Sequence, residues 1–129
     1  MISIEDIEAF QEQQYADEEE MNQSNTFDGY QIFTDTTSIY PYDNDNVLEC
    51  LTLGLVSEAG EFAGKVKKHL RDGTWHESEM VNELGDVLWY VAQLASNLDY
   101  YLSEVAEINI EKLKLRQAMG TLGGSGDVR

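Results

Sequence analysis

Apolar residues recur at the three- and four-residue spacing of helices along almost the whole chain, and no stretch keeps the strict alternation of a half-buried strand. The first helix is capped by Ser3, carries Glu5 and Asp6 in its opening turn, and sets Ile4, Ile7 and Phe10 on one side. It runs into the solvated stretch Asp17-Glu18-Glu19-Glu20. A second helix is predicted over about Thr26 to Ser38 with Phe27, Tyr30 and Phe33 inward. It stops before Tyr40-Pro41, because a proline disfavours helical geometry in the residue ahead of it. Tyr42-Asp43-Asn44-Asp45-Asn46 reads as a loop.

The third helix, about Val47 to Leu70, carries Leu48, Leu51, Leu55, Phe62 and Val66 at core spacing, and Arg71-Asp72-Gly73 ends it. The fourth, about Glu77 to Leu98, turns Leu84, Val87, Leu88, Val91, Leu94 and Leu98 inward. The fifth runs from near Ser103 to about Ala118 on Val105, Ile108 and Leu113. The pattern therefore predicts an all-α chain, a bundle of four to five helices. Residues 1–25 form an acidic helical extension, 26–119 the body, and 120–129 a glycine-rich tail.

A length of 129 residues suits one compact domain, and 42% hydrophobic with 26% charged residues argues against global disorder. No apolar run approaches the roughly 20 residues that span a bilayer, and the acidic start lacks a secretory leader's basic region. Cys50 is the only cysteine, which excludes an internal disulfide and a zinc knuckle. A cytoplasmic setting is expected.

Charge narrows the partners. At −17 the chain should repel nucleic acid and acidic membranes. Residues 1–64 hold 15 acids and no Lys or Arg, whereas residues 65–129 hold 10 acids and all 8 cations. Seven of those cations form two groups: Lys65, Lys67, Lys68 and Arg71, then Lys112, Lys114 and Arg116. Such clusters in so acidic a chain fit a pocket for a polyanionic small molecule.

Two consecutive helices carry paired carboxylates, Glu58-x-x-Glu61 and Glu83-x-x-Asp86. Residues three apart share a helix face, and each pair flanks its helix's apolar arc. Packed antiparallel, the helices would gather four carboxylates at the rim of the core. Four such charges repel and raise their own pKa values, a penalty that a divalent cation removes, and hard oxygen ligands select Mg²⁺ or Mn²⁺. One pair alone reads as a solvated face, and Lys65, four residues after Glu61, as its exposed ion-pair partner. Lys65 and Lys68 nevertheless continue the stripe of Glu58 and Glu61, and Asn109, Lys112 and Arg116 form another single-face stripe. Metal ligands beside two cationic stripes describe a site for a metal-bound polyphosphate.

The same residues resemble the signature of the MazG-like, all-α nucleoside triphosphate pyrophosphohydrolases. The words that carry the resemblance are Leu53-Gly54-Leu55-Val56-Ser57-Glu58-Ala59-Gly60-Glu61 and Glu83-Leu84-Gly85-Asp86-Val87-Leu88-Trp89-Tyr90-Val91. Asn109-x-x-Lys112-Leu113-x-x-Arg116, the closing Gly120-Thr121-Leu122 with Gly124-Ser125-Gly126-Asp127-x-Arg129, and Tyr30-Gln31 through Tyr40-Pro41 agree with it. The similarity covers about residues 26–129; the extension over 1–25 departs from it.

The resemblance implies hydrolysis between the α- and β-phosphates to give a nucleoside monophosphate and pyrophosphate, with more than one Mg²⁺, or Mn²⁺, per site. It implies that Glu58, Glu61, Glu83 and Asp86 hold the metals and that Glu58 or Glu61 takes the water's proton. Lys112 and Arg116, with Lys65 or Lys68, would neutralise the phosphates, and Asn109 would bond a phosphate or sugar oxygen. Tyr90 either contacts sugar or base or packs in the core. The tail is expected to close over the phosphates, and the chain to form a homodimer or homotetramer with sites between subunits.

A deoxynucleoside triphosphate is the expected substrate, with dGTP the base this reading leans to. Within enzymes, dUTP, dCTP or phosphoribosyl-ATP are the competing substrates. Outside them, the alternative is a non-catalytic acidic helical protein that mimics DNA. His69, His76 and Cys50 lack partners at catalytic or metal spacing and read as structural or surface residues, and Trp75 as a packing residue beside the Gly73 turn.

Overall fold

The computed structural model describes residues 3–22, 25–41 and 45–123. Within them lie five helices and no strand: α1 (Ile4–Asn22), α2 (Phe27–Thr37), α3 (Val47–Asp72), α4 (Glu77–Asn97) and α5 (Leu102–Ala118). Each start has a local cause. Ser3 and Asp6 form a reciprocal cap on α1: Asp6 N–H donates to Ser3 Oγ at 3.1 Å, and Asp6 Oδ2 accepts from Ser3 N–H at 2.9 Å. Thr26 Oγ1 accepts from Gly29 N–H at 2.9 Å to begin α2. The acidic run Asp17–Glu20 lies inside α1 rather than after it.

α3 and α4 are the longest helices and share the largest interface. Gly73 reverses the chain between them at φ 72°, with its N–H on His69 O at 2.8 Å, as expected of a glycine that closes a helix. The helices run antiparallel: Lys65 meets Glu79 at 2.7 Å near the turn, and Gly54 meets Tyr90 about three turns further on. His69 Nδ1 lies 3.0 Å from Thr74 O, and its ring meets Trp75 edge-on at 5.1 Å. Trp75 stays 60% exposed.

α2 lies antiparallel on the second half of α4 through buried polar side chains. Gln31 Nε2 donates to Ser96 Oγ and to Tyr100 O, both at 2.9 Å, and Gln31 Oε1 accepts from Leu102 N–H at 2.7 Å. Gln93 Nε2 donates to Thr34 Oγ1 and Asp35 Oδ1 at 2.8 Å. Asp28 accepts from Ser103 N–H at 2.9 Å and from its hydroxyl at 2.8 Å. The first N–H groups of α5, which no residue within that helix can satisfy, are thus met by side chains of α2.

The core sits where α2, α4 and the start of α5 meet, with Ala92, Ala95 and Leu102 buried and Tyr30 and Val91 packed against them. Leu51 and Val47 are buried at the start of α3. Several positions expected inward are exposed instead: Phe27, Phe33, Leu48, Leu84, Leu88, Leu98, Val105, Ile108 and Leu113. Ile4, Ile7 and Phe10 on α1 are exposed too. The reason is geometric, since α2 and α5 cover only part of a hairpin built from helices of 26 and 21 residues. The chain exposes 9996 Å², against about 6,900 Å² for a compact monomer of its mass. Within the loop, positions 42–44 lie outside the described residues, as do positions 124–129 of the tail. No described helix is long and apolar enough to cross a membrane.

The α4–α5 turn contains neither glycine nor proline, and Asp99 takes the left-handed position at φ 61° while Tyr100 N–H reaches Ala95 O at 2.9 Å. A side chain there costs about 1 kcal/mol that glycine avoids. Asp99→Gly is therefore expected to raise unfolding free energy by up to about 1 kcal/mol, read as a higher urea midpoint at unchanged slope.

Candidate active site

Antiparallel packing of α3 on α4 brings together three of the four expected carboxylates. One oxygen from each of Glu58, Glu83 and Asp86 lies within 4.8 Å of the other two. Two oxygens on opposite sides of Mg²⁺ at its usual bond length stand about 4.2 Å apart, so the carboxylates would draw in slightly to share one ion, and their all-oxygen donor set suits a hard divalent cation. Glu61 is exposed and outside this group, although its charge reaches Glu58. Burial first, then repulsion from Asp86, Glu83 and Glu61, pushes the Glu58 carboxyl above its ordinary range.

The expected cations are distributed differently. Lys65 bonds Glu79 across the helices, which raises its pKa, with Glu83 and Glu61 adding to the effect. Lys68 is exposed, and its charge acts on Asp72 and Glu79. Asn109, Lys112 and Arg116 form their stripe on α5, which packs on α2 and α4. The charged groups that act on Glu58 are all acids.

Tyr90, one turn beyond Asp86, packs against α3 and also lines a cavity. Its ring lies against Gly54 so closely that a β-carbon there would overlap it. Its phenol shares a hydrogen bond with Tyr40, and that bond, followed by burial and the nearby negative charges, pushes its pKa up to about 12. The Trp89 ring stands edge-on to Tyr90 at 4.9 Å and donates its N–H to Thr37 Oγ1 at 2.8 Å. Together Thr37, Ile39, Tyr40, Trp89 and Tyr90 line a cavity of about 370 Å³ whose remaining lining is Glu58 and Asp86. Nothing in the sequence pattern singled out Trp89 and Thr37 as a pair. They meet only because the end of α2 crosses α4.

The family model of the MazG nucleotide pyrophosphohydrolase domain matches residues 47–120, α3 through α5. The chain belongs to the MazG family. A relative, "Gene 37 protein" of Mycobacterium phage L5, is 49% identical over 111 residues, which cover 79% of this chain and 97% of the phage protein. No solved structure matches the chain. At the family level the chain is thus a hydrolase of the nucleoside triphosphate pyrophosphohydrolase type, and its all-helical architecture agrees. In a MazG domain the acidic cluster of Glu58, Glu83 and Asp86 is a possible divalent-metal site, an assignment that clustered acids alone would not earn.

Gly54→Ala should destabilise the fold by about 1–3 kcal/mol through overlap with Tyr90. Gly64→Ala, with nothing within 4 Å of the added carbon, should stabilise α3 by about 0.5–1 kcal/mol, and chemical denaturation reads both. For Glu58, a raised folded-state pKa means that stability is greatest with the proton bound and is lost as pH climbs through that pKa. Glu58→Gln should therefore melt higher than the parent at pH 7 without metal and show no such gain at pH 3. It should also lose the stabilisation that Mg²⁺ gives the parent.

Proposed function

We propose that the chain hydrolyses deoxynucleoside triphosphates between the α- and β-phosphates, releasing a nucleoside monophosphate and pyrophosphate. The observation that carries this reading is the continuity of the site: Glu58 and Asp86 belong both to the carboxylate cluster and to the wall of the aromatic cavity. A ligand with a metal-binding polyanionic end and a flat, stackable end fits such a site, and a nucleoside triphosphate has both. At about 370 Å³ the cavity falls in the usual range for small-molecule pockets, about 300–1,000 Å³.

Glu58, Glu83 and Asp86 would hold Mg²⁺ or Mn²⁺, with Glu61 beside them. When bound, the ion polarises phosphoryl oxygens and makes water more acidic. Glu61 lies close enough to act on Glu58 yet outside the group of three, which leaves its carboxylate available to take the water's proton; Glu58 is the other candidate. The water's oxygen bonds to phosphorus as the α–β bridging P–O bond breaks, and the electron pair leaves with the departing phosphate. Lys112 and Arg116 are assigned to the polyphosphate, Asn109 to a phosphate or sugar oxygen, and Lys65 and Lys68 to its outer end.

A second copy is part of the proposal. An exposed area well above that of a compact monomer, rich in apolar side chains of α3, α4 and α5, is supported by burial in a homodimer or homotetramer. Such an assembly offers a route by which one protomer's α5 stripe reaches its partner's carboxylates. Residues 26–119 would form the catalytic unit, with 1–25 as an extension and 120–129 as a tail closing over the phosphates.

Chromatography of each dNTP and NTP after incubation with the protein tests the reaction. Metal-dependent monophosphate and pyrophosphate are expected, lost to below about 1% in Asp86→Asn. Orthophosphate release, or turnover that survives chelation, would overturn it.

A further inference from the structure

Among the described residues, α1 is the helix that stands apart. The substantial interfaces between helices are α3–α4, α2–α4, α2–α5 and α4–α5, and α1 belongs to none of them. Ile4, Ile7 and Phe10 form its apolar side and are 74%, 49% and 64% exposed. The sequence of α1 contains no Lys or Arg, and Glu8 and Glu12, one turn apart, repel each other. A helix with like charges along it and nothing packed on its apolar side is marginal in water. An apolar partner that also carries cations would stabilise it on both counts.

α5 offers both. Ile108 and Leu115 share one side of it and are 57% and 49% exposed. Lys112 and Arg116 lie partly buried along the adjoining edge, and Lys112 has no ion-pair partner among the described residues. The order of the two stripes around each axis follows from the helical turn of about 100° per residue. Glu5, Glu8 and Glu12 follow the apolar side of α1 in the same rotational sense in which Lys112 and Arg116 follow Ile108 and Leu115. Two right-handed helices striped in the same order set apolar on apolar and acid on cation only when they run antiparallel.

The connection between them leads to that arrangement. Asp28 accepts from Ser103 N–H at 2.9 Å, which fixes the start of α2 beside the start of α5. From Asn22 to Thr26 the chain can reach at most about 14 Å, so the end of α1 stays close to the same point. From there α1, about 28 Å long, can run back beside α5, about 25 Å long. Its first turns then lie level with the stretch from Asn109 to Arg116. Acids on the far edges are already engaged: Asp6 accepts from Ser3 N–H, Glu104 from Tyr101 N–H, and Glu111 pairs with Lys114.

We propose that α1 folds back antiparallel along α5 of its own chain as an acidic strap that a polyphosphate must displace. Its apolar side seats on Ile108 and Leu115, and Glu5, Glu8 and Glu12 face Lys112 and Arg116. The packing needs no assumption about catalysis. The competition with polyphosphate rests on the assignment of Lys112 and Arg116 in the hydrolase reading above.

Cross-linking tests the packing in a full chain that carries Cys50→Ser. Ile4→Cys with Leu115→Cys, under oxidised glutathione, is expected to close a disulfide within one chain, seen as a faster band on a non-reducing gel. Ile4→Cys with Lys114→Cys, whose second position lies on the other side of α5, should close far less. Equal yields from the two pairs, or disulfides only between chains, overturn the strap. The competition is read from the Kd of inorganic pyrophosphate with Mg²⁺, by calorimetry. The combined Glu5→Gln, Glu8→Gln and Glu12→Gln chain should bind about threefold to tenfold more tightly than the parent. The gain should fade in molar salt, where the screening length is about 3 Å, and should vanish when Lys112→Gln is added. An unchanged Kd, no binding by either chain, or a gain that survives Lys112→Gln overturns the competition. A chain that cross-links as expected yet turns over no dNTP keeps the packing and loses the hydrolase; turnover with equal cross-linking of both pairs does the reverse.

Discussion

Glu58, Glu83 and Asp86 repel one another, and the two helices that carry them must gain more by packing than the carboxylates lose by crowding. Two contacts bracket the cluster along the α3–α4 interface. On one side the Tyr90 ring fills the space that Gly54 leaves open, and on the other Lys65 reaches Glu79 at 2.7 Å. Half of the Glu79 side chain is exposed, so the ion pair contributes little stability. The closely fitted ring against glycine is the stronger determinant of register. A shift of one residue along α3 would drive a β-carbon into that ring and carry Glu58 off the face it shares with Asp86.

The second support is polar. Gln31, Thr34 and Gln93 are buried, and their side chains tie α2 to α4 and to the opening of α5. Each such bond adds about 1 kcal/mol, but an unpaired group there would cost about 1–3 kcal/mol, so the arrangement is selective as well as stabilising. It leaves the end of α2 lying across α4, where Thr37 and Tyr40 can form a wall opposite Trp89 and Tyr90. The cavity is thus a product of the register of two helix pairs, α3 on α4 and α2 on α4.

The bounds of α2 to α5 were legible in the sequence to within a residue or two, because caps and stops are local chemistry: Thr26 before α2, Gly73 after α3, the break before Pro41; the end of α1, which has no such stop, was not. The carboxylates were legible too, since a three-residue spacing beside an apolar arc fixes a helix face. The buried glutamines were not. A glutamine within a helical pattern looks like surface until another helix supplies its partners. The exposure of Leu84, Leu88 and Ile108 was equally hidden, because periodicity marks the face a helix offers and does not count the helices available to cover it. Glu61 shows the finer limit: sharing a stripe with Glu58 did not place it in the group of three, which was decided by the helix opposite.

α2 stands outside the segment matched by the family model, yet it supplies Thr37 and Tyr40 to the cavity and Gln31 and Asp28 to the start of α5. These duties fall on different residues of one short helix and the turn after it. Residues at and after its end shape the cavity, with Thr37 held to α4 by a single bond from Trp89, while those earlier in it are tied by several bonds to α4 and α5. Natural variation in such a helix would retune the enzyme without unfastening it. It behaves as a fitting that can be exchanged, clipped to a frame that cannot.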